Sequence, residues 1–393
     1  MLRAGQRRKF VRTTSGSGGA GGLGFPSFYL PLNDLGNGIV NTVPALSAGS
    51  PVATFTRSSI AWTKLSSGLW APIGNGIQRS GYLGQDTAVG AYGGYFAEGL
   101  GTQLVSPTAA IRDMTNAAWT AVGITPTKTA TGIDGVPNAC TTLTCTAPGG
   151  SILQTLVAAA SSRAYSVFLR RVSGNGTIVI QQGATTQDVT AQINTVTKTR
   201  VWLNASILNS VFGIVMGTAG DVIEVDVNQF EPLTPTQIPT SPMASTGIAR
   251  TDWDTLSFPS AGNISGTQGT AYAEVVMPNI VDNNWFLGSS NAALYRAAGK
   301  LTLFDGTTNR SGNAFIPSQA VQKIAFSWGG TVSQTALNGV ASAALGFDGD
   351  MGFSAAALFI ASSGSGSQPN GFMRNIRIFP TQFSGAQLAA LTA

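Results

Sequence analysis

The 393-residue chain contains no histidine. That absence removes Ser-His-Asp and Cys-His nucleophilic chemistry and the commonest zinc ligand. Charge is scarce as well: Asp, Glu, Lys and Arg make up 10% of the chain, and glutamate occurs only at Glu98, Glu224, Glu231 and Glu274. No apolar run approaches the ~20 residues of a membrane-spanning helix, so membrane insertion is not expected. No phosphate-binding glycine loop and no zinc spacing is present. The two cysteines, Cys140 and Cys145, are five residues apart. On a strand they fall on opposite faces and roughly 16 Å apart, too far for a mutual bridge, and they are expected as free buried thiols.

What remains is Thr, Val, Ile, Ser and 49 glycines. That mixture points to an all-β fold with turn-rich connections, and the length to two or three domains. A surface so poor in charge suits a protein held in a larger assembly, where neighbours cover its patches. The net charge of +5 has one origin. Arg3, Arg7, Arg8, Lys9 and Arg12 carry five positive charges with no acid among them, leaving seventeen charges of each sign in the rest. A basic arm on a neutral body disfavours a general nucleic-acid surface.

Residues 1–24 join that arm to a Gly/Ser tether, a flexible composition. Two readings apply: a disordered tail, or an anchor peptide that orders on a partner through Arg contacts or backbone pairing, and charge this concentrated favours the anchor. Arg7-Arg8-Lys9-Phe10-Val11 looks like a twin-arginine export signal, but no apolar stretch comes after it. Residues 25–106 read as an irregular collar of short hairpins at Thr54–Arg57, Ala61–Thr63 and Gly68–Trp70, with no core of their own, packing on the strands C-terminal to them. Residues 107–245 carry strand signals at roughly ten-residue spacing, as in a sandwich. Residues 246–393 repeat that logic. Between the two, a strand at Val222–Asn228 gives way to Pro232, Pro235, Pro239 and Pro242, a stiff extended strap, before a new strand near Trp253. Asn338-Gly339 marks a two-residue hairpin. Ser384 with Gln387, and Phe383 with Leu388, mark a capped terminal helix.

Gly371–Phe379 followed by Phe383–Leu388, with the Leu337-Asn338-Gly339-Val340 hairpin, resembles the end of concanavalin A-like (laminin G-type) jelly rolls. Tyr95–Gly99, Met114–Thr120 and the strap with Arg250 and Asp252 resemble a layout found in bacteriophage virion proteins. There, a carbohydrate-binding-module-like sandwich precedes a laminin G-like one. The resemblance covers roughly residues 50–393; where the family has Arg-Thr-Asn, this chain has Gly101-Thr102-Gln103. It implies two tandem jelly-roll β-sandwiches after the arm and collar, and a structural or adhesive virion component: a tail or head fibre, or a capsid decoration protein. Its partners would be other virion proteins (capsid, portal or tail), copies of itself in a homo-oligomer, and host-surface polysaccharide.

Glucanases of the jelly-roll class carry Glu-x-Asp followed by a second Glu, and Glu224, Asp226 and Asn228 share a strand face here. Asn228 occupies the position of the second Glu and cannot relay a proton, while Glu231 lies on the opposite face unless a bulge intervenes. No catalytic residue is expected; a polysaccharide-degrading enzyme remains an alternative, as does an architectural decoration protein without a receptor. Trp285 beside Asn283 and Asn284, and Trp253 beside Asp252 and Asp254, are candidate glycan platforms, with a core role as the competing reading. No cofactor is expected. Asp282, Asp305, Asp348 and Asp350 sit in oxygen-rich turns of the kind that bind calcium in laminin G-like domains, but no single turn offers six oxygens, and Asx turns are common without an ion.

Overall fold

In a computed structural model of the chain, the described residues are 101–156, 161–207, 211–233, 237–243, 249–250, 253–259, 264–289, 292–351, 357–364 and 366–393, with 28–30, 39–40, 54–56, 61–64, 69–73, 78–79 and 95–98 before them. The basic residues Arg3, Arg7, Arg8, Lys9 and Arg12 lie outside the described residues, as does Asp252. The expected all-β class is what the structure shows. Among the described residues, antiparallel sheets account for the architecture, and Gly385–Thr392 is the one α-helix.

Two five-stranded sheets enclose the first core. One runs Ile124–Ala130, Cys140–Cys145, Val222–Pro232, Ser161–Ser173, Thr199–Ile207; the other runs Thr185–Asp188, Ile178–Gln182, Val211–Met216, Gly150–Thr155, Thr120–Val122. Leu143, Ile152, Ile180, Phe212, Ile214 and Phe230 meet between them. Alternation explains the placement: along Ile178–Gln182, buried and half-buried positions alternate, the period of a strand with one covered face. Cys140 and Cys145 are both buried and free.

A second core lies between two larger sheets. In one, Gly371–Phe379 pairs with Gln268–Met277, which pairs with Ser318–Gly329 and then Val332–Leu337. The facing sheet runs Asn309–Ala314, Lys300–Phe304, Ala293–Ala297, Trp285–Gly288, Ala357–Ile360, Thr255–Pro259, Thr54–Thr56. Phe286, Leu303, Ile324, Phe326, Trp328 and Ile360 fill the space between them. Asn338 (φ 47°) and Gly339 (φ 85°) make the expected tight hairpin. The helix begins at Ser384, whose side chain accepts from the Gln387 amide while Gln387 reaches back, and Phe383 and Leu388 share one apolar cluster.

The described parts of 25–106 are distributed over both cores. Phe28–Leu30 and Tyr95–Ala97 both pair with Gly371–Phe379, and Thr54–Thr56 pairs with Thr255–Pro259. The hairpin of Ala61–Lys64 with Trp70–Ile73 instead places Trp62 and Trp70 in the first core. Trp70 packs edge-on against Phe168 at 5.7 Å. Aromatics on short, polar hairpins have no core of their own to enter, so they cover their neighbours.

The strap is held from both sides. Ile238 donates to and accepts from the Asn279 side chain (2.7 and 2.9 Å), and it packs with Val276, Phe372 and Trp202. Asn204 and Arg200 donate to the carbonyls of Gln237 and Thr240. The Glu98 carboxylate accepts from the Ser241 amide and hydroxyl, both at 2.6 Å. Gln103 caps the Phe230 and Val105 amides and donates to the Asn228 carbonyl. The polar residues around the strap are therefore a buried splice between sandwiches.

Candidate functional site

The strand Val222–Pro232 carries the glucanase-like acidic pattern. Register along Ser161–Ser173 pairs Phe168 with Asp226 and then Ser166 with Gln229, three residues against two, and Val227 sits at φ 43°. This is a β-bulge, and it turns Glu231 onto the same face as Glu224 and Asp226. The geometry then assigns each carboxylate to a structural partner. Asp226, fully buried, takes two bonds from the Arg112 guanidinium at 2.8 Å and one from the Ile133 amide at 2.7 Å. Arg112 also grips Asp134 at 2.7 Å. Glu231 accepts from Gln229, the Thr240 amide and the Thr240 hydroxyl. Glu224 is forked by Arg170 and bonded by Lys198 at 2.6 Å. Burial works to raise the Glu224 carboxyl, yet hydrogen bonds and charge from Arg170 and Lys198 hold it below its ordinary value. Asn228 faces the opposite way, accepting from the Tyr165 hydroxyl at 2.7 Å.

The oxygen-rich turns separate into two ion-paired sets. Asp305 and Asp348 do come together, but around Arg310, which lies 3.6 Å from Asp305 and 2.6 Å from Asp348. Thr307 and Thr308 complete that turn by donating to both carboxylates. Asp282 is bound by Arg296 and by the Gly299 amide. Among the described residues, no group of three or more His, Cys, Asp or Glu is placed to hold a metal ion. The Arg310 guanidinium lies within ion-pair distance of both Asp305 and Asp348.

The two tryptophans are brought to one place. The Trp285 amide donates to the Ser367 carbonyl at 2.9 Å, and Trp253 lies beside Gly366, with a ring atom 3.9 Å from where a Cβ there would stand. Both residues are half-buried and each meets the loop 361–370 at one point, Trp285 through its backbone amide and Trp253 through its ring. That loop holds Ala361, Ser367 and Asn370 at positive φ (51°, 64° and 49°), strained for side-chain-bearing residues and a feature concentrated at binding sites. Of the two amides, Asn283 is exposed in a left-handed conformation, whereas Asn284 turns inward to accept from the Val281 amide. Asn284 is therefore a turn-closing residue.

Two further aromatics join the tryptophans, and the sequence pattern did not single them out. Tyr295 stands opposite Trp285 with ring centroids 6.5 Å apart, and its hydroxyl donates to Asn309. Phe359 projects from the same sheet face and lies under Gly364, where a Cβ would come within 2.8 Å of its ring. Each lies in a short apolar run, ALY or ALFI, whose two faces cannot be told apart by period alone. The Gly/Ser-rich stretch 362–367 was the available signal.

No family model matches the chain, and no curated protein matches it. Among solved structures it is similar to domain 4 of AbnA, a GH43 extracellular arabinanase from Geobacillus stearothermophilus, in complex with arabinotriose: 18% identity, 36% of this chain, 73% of that one, TM-score 0.31. It is similar to the CBM40 of Ruminococcus gnavus IT-sialidase bound to α2,3-sialyllactose, at 15% identity, 33% and 84% coverage and TM-score 0.28. The tandem CBM22-1-CBM22-2 of Paenibacillus barcinonensis Xyn10C aligns at 11% identity over 72% of this chain and 99% of that one, TM-score 0.24. At scores this low, the likenesses assign no residue of this chain a role.

Proposed function

We propose that this chain is a non-catalytic, glycan-binding component of a virion, attached by its basic N-terminal arm and presenting a binding face on its second sandwich. The observation that carries the glycan reading is the convergence of Trp253 and Trp285 on one strained loop, 361–370. Half-buried indole rings offer flat apolar faces next to polar backbone, the combination that orients a sugar ring. The virion assignment rests on the sequence resemblance and on the charge confined to residues 3–12. Repeated weak sites on an oligomer would supply avidity, so one site need bind only weakly.

The non-catalytic reading is supported by the acidic strand. Hydrolysis by two carboxylates needs one to carry a transferable proton and the other a free lone pair facing substrate. Asp226 and Glu231 are buried to 1% exposure or less and bonded on both oxygens, and Glu224 is held by two cations.

The test is a glycan array probed with wild-type protein and with Trp253→Ala and Trp285→Ala. Binding by wild type that both variants lose supports the reading; no wild-type binding refutes it. Release of sugars from a bound glycan, abolished by Glu224→Gln, would replace it with an enzyme. Deleting residues 1–12 and finding particle attachment intact would remove the anchor from the account.

A further inference from the structure

The strand register around the tryptophans defines a surface longer than one sugar. On the face turned away from the core, Phe304 stands opposite Ala293, Ala293 opposite Gly288, and Gly288 opposite Phe359. Leu303, Leu294, Leu287, Leu358 and Ile360 alternate with them and enter the core, which fixes the outward direction of this row. Ala293 and Gly288 supply no bulk of their own. The Trp285 ring folds over Gly288 instead, so close that a Cβ there would stand 2.3 Å from it. Phe304, Trp285 and Phe359 are thus half-buried flat groups in one line across the strands. Three inter-strand steps span about 14 Å, close to the length of about three pyranose rings end to end.

The chemistry of the row is as informative as its length. Its remaining members and its neighbours are Ser257, Asn309, Thr302, Ser311 and Tyr295, neutral hydrogen-bonding side chains. Of the charged residues on the same strands, Arg296 is bonded to Asp282 and the Phe315 carbonyl and Arg310 to Asp305 and Asp348, while the exposed Lys300 stands four residues from Phe304 at the other end of its strand, about 13 Å from the row. Those pairings leave neither guanidinium to offset the desolvation of an anionic sugar on the row.

We propose that the ligand of this face is an uncharged linear oligosaccharide of three or more sugar units, lying across the strands from Phe304 to Phe359. This rests on the glycan-binding reading above and adds length, direction and charge to it. The far platform, Phe304, lies two strands from Trp285, so it distinguishes an extended ligand from a single bound ring.

The experiment titrates full-length protein with neutral glucose, mannose and xylose oligomers of one to six units, and with uronic-acid and sialylated oligomers of matched length. Affinity is expected to rise up to about three units, then level off. The neutral series should be preferred, and Phe304→Ala should lower affinity about tenfold for trimers and longer while leaving monomer and dimer binding unchanged. That dependence on length separates a contact from a folding defect, which would weaken every ligand alike. Equal affinity for one unit and six, preference for the acidic series, or a Phe304→Ala variant indistinguishable from wild type on trimers would overturn the inference while leaving a smaller glycan site standing. Failure of every oligomer would overturn both.

Discussion

Replacing Asp226 by alanine separates a structural acidic strand from a catalytic one. Asp226 is fully buried and accepts two charge-assisted bonds from Arg112 and one from the Ile133 amide. Its removal orphans the Ile133 amide and leaves Arg112 with Asp134 as its remaining acid partner among these bonds. Breaking a buried pair from one side costs about 3–5 kcal/mol, because the surviving charge keeps its desolvation penalty. The partial exposure of Arg112 and its second partner argue for the lower part of that range. For a sandwich of this size each kcal/mol lowers the midpoint by about 2–4 °C, so the melting temperature of the first sandwich should fall by roughly 6–16 °C. Calorimetry reads this directly, with the transition of the second sandwich as an internal reference. A double replacement, Arg112→Met with Asp226→Leu, removes both members of the buried pair but strips Asp134 of Arg112 and leaves the Ile133 amide unpaired, so it should recover only part of the loss. A shift under about 2 °C for Asp226→Ala would refute the assignment, since a carboxylate held ready for chemistry is commonly removed at little cost to stability.

Acid should weaken the first sandwich in a defined window. The carboxyls of Glu224 and Asp134 are held below their ordinary values of 4.5 and 3.8, so their contribution is present above those values and lost as pH falls through the lower folded ones; denaturation midpoints measured from pH 7 to 3 should be level above about pH 5 and fall below it. A fall that begins near pH 6 would contradict this. Burial pushes the Cys140 thiol up to about 12. A thiol reagent at pH 8 should therefore label Cys140 only after unfolding, and rapid labelling of native protein would refute the buried placement. Gly339→Ala forces a Cβ into a φ of 85° and should cost about 1–2 kcal/mol by urea denaturation, whereas a neutral effect would mean the hairpin is not of the tight type.

Strands with a full apolar face were legible in advance. Val211–Met216 and Ile178–Gln182, both inside the 107–245 stretch of regularly spaced strand signals, are of this kind, as is Gly371–Phe379. Edge strands were not. Ile124–Ala130 reads ITPTKTA and Asn309–Ala314 reads NRSGNA; each has a neighbour on one side only and leaves much of its surface to water, so no apolar period marks it. The bulge at Val227 was equally hidden, because nothing in a Val-Asp-Val-Asn run announces a left-handed valine. It changes which acids share a face. The partners that hold those acids, Arg112, Arg170, Lys198 and Thr240, are remote in sequence or in an irregular strap, and only the folded chain brings them in. For the candidate site, the tryptophans were visible as residue types. Their convergence on loop 361–370, and the presence of Phe359, Tyr295 and Phe304 beside them, come from the order of strands in the sheet.

The most direct test of the central claim is a crystal structure of the protein with the linear neutral oligosaccharide that binds it best. Sugar rings are expected to stack along Phe304, Trp285 and Phe359, with Glu224, Asp226 and Glu231 untouched. Electron density for the sugar against the Glu224–Glu231 strand, or on the first sandwich alone, would contradict it.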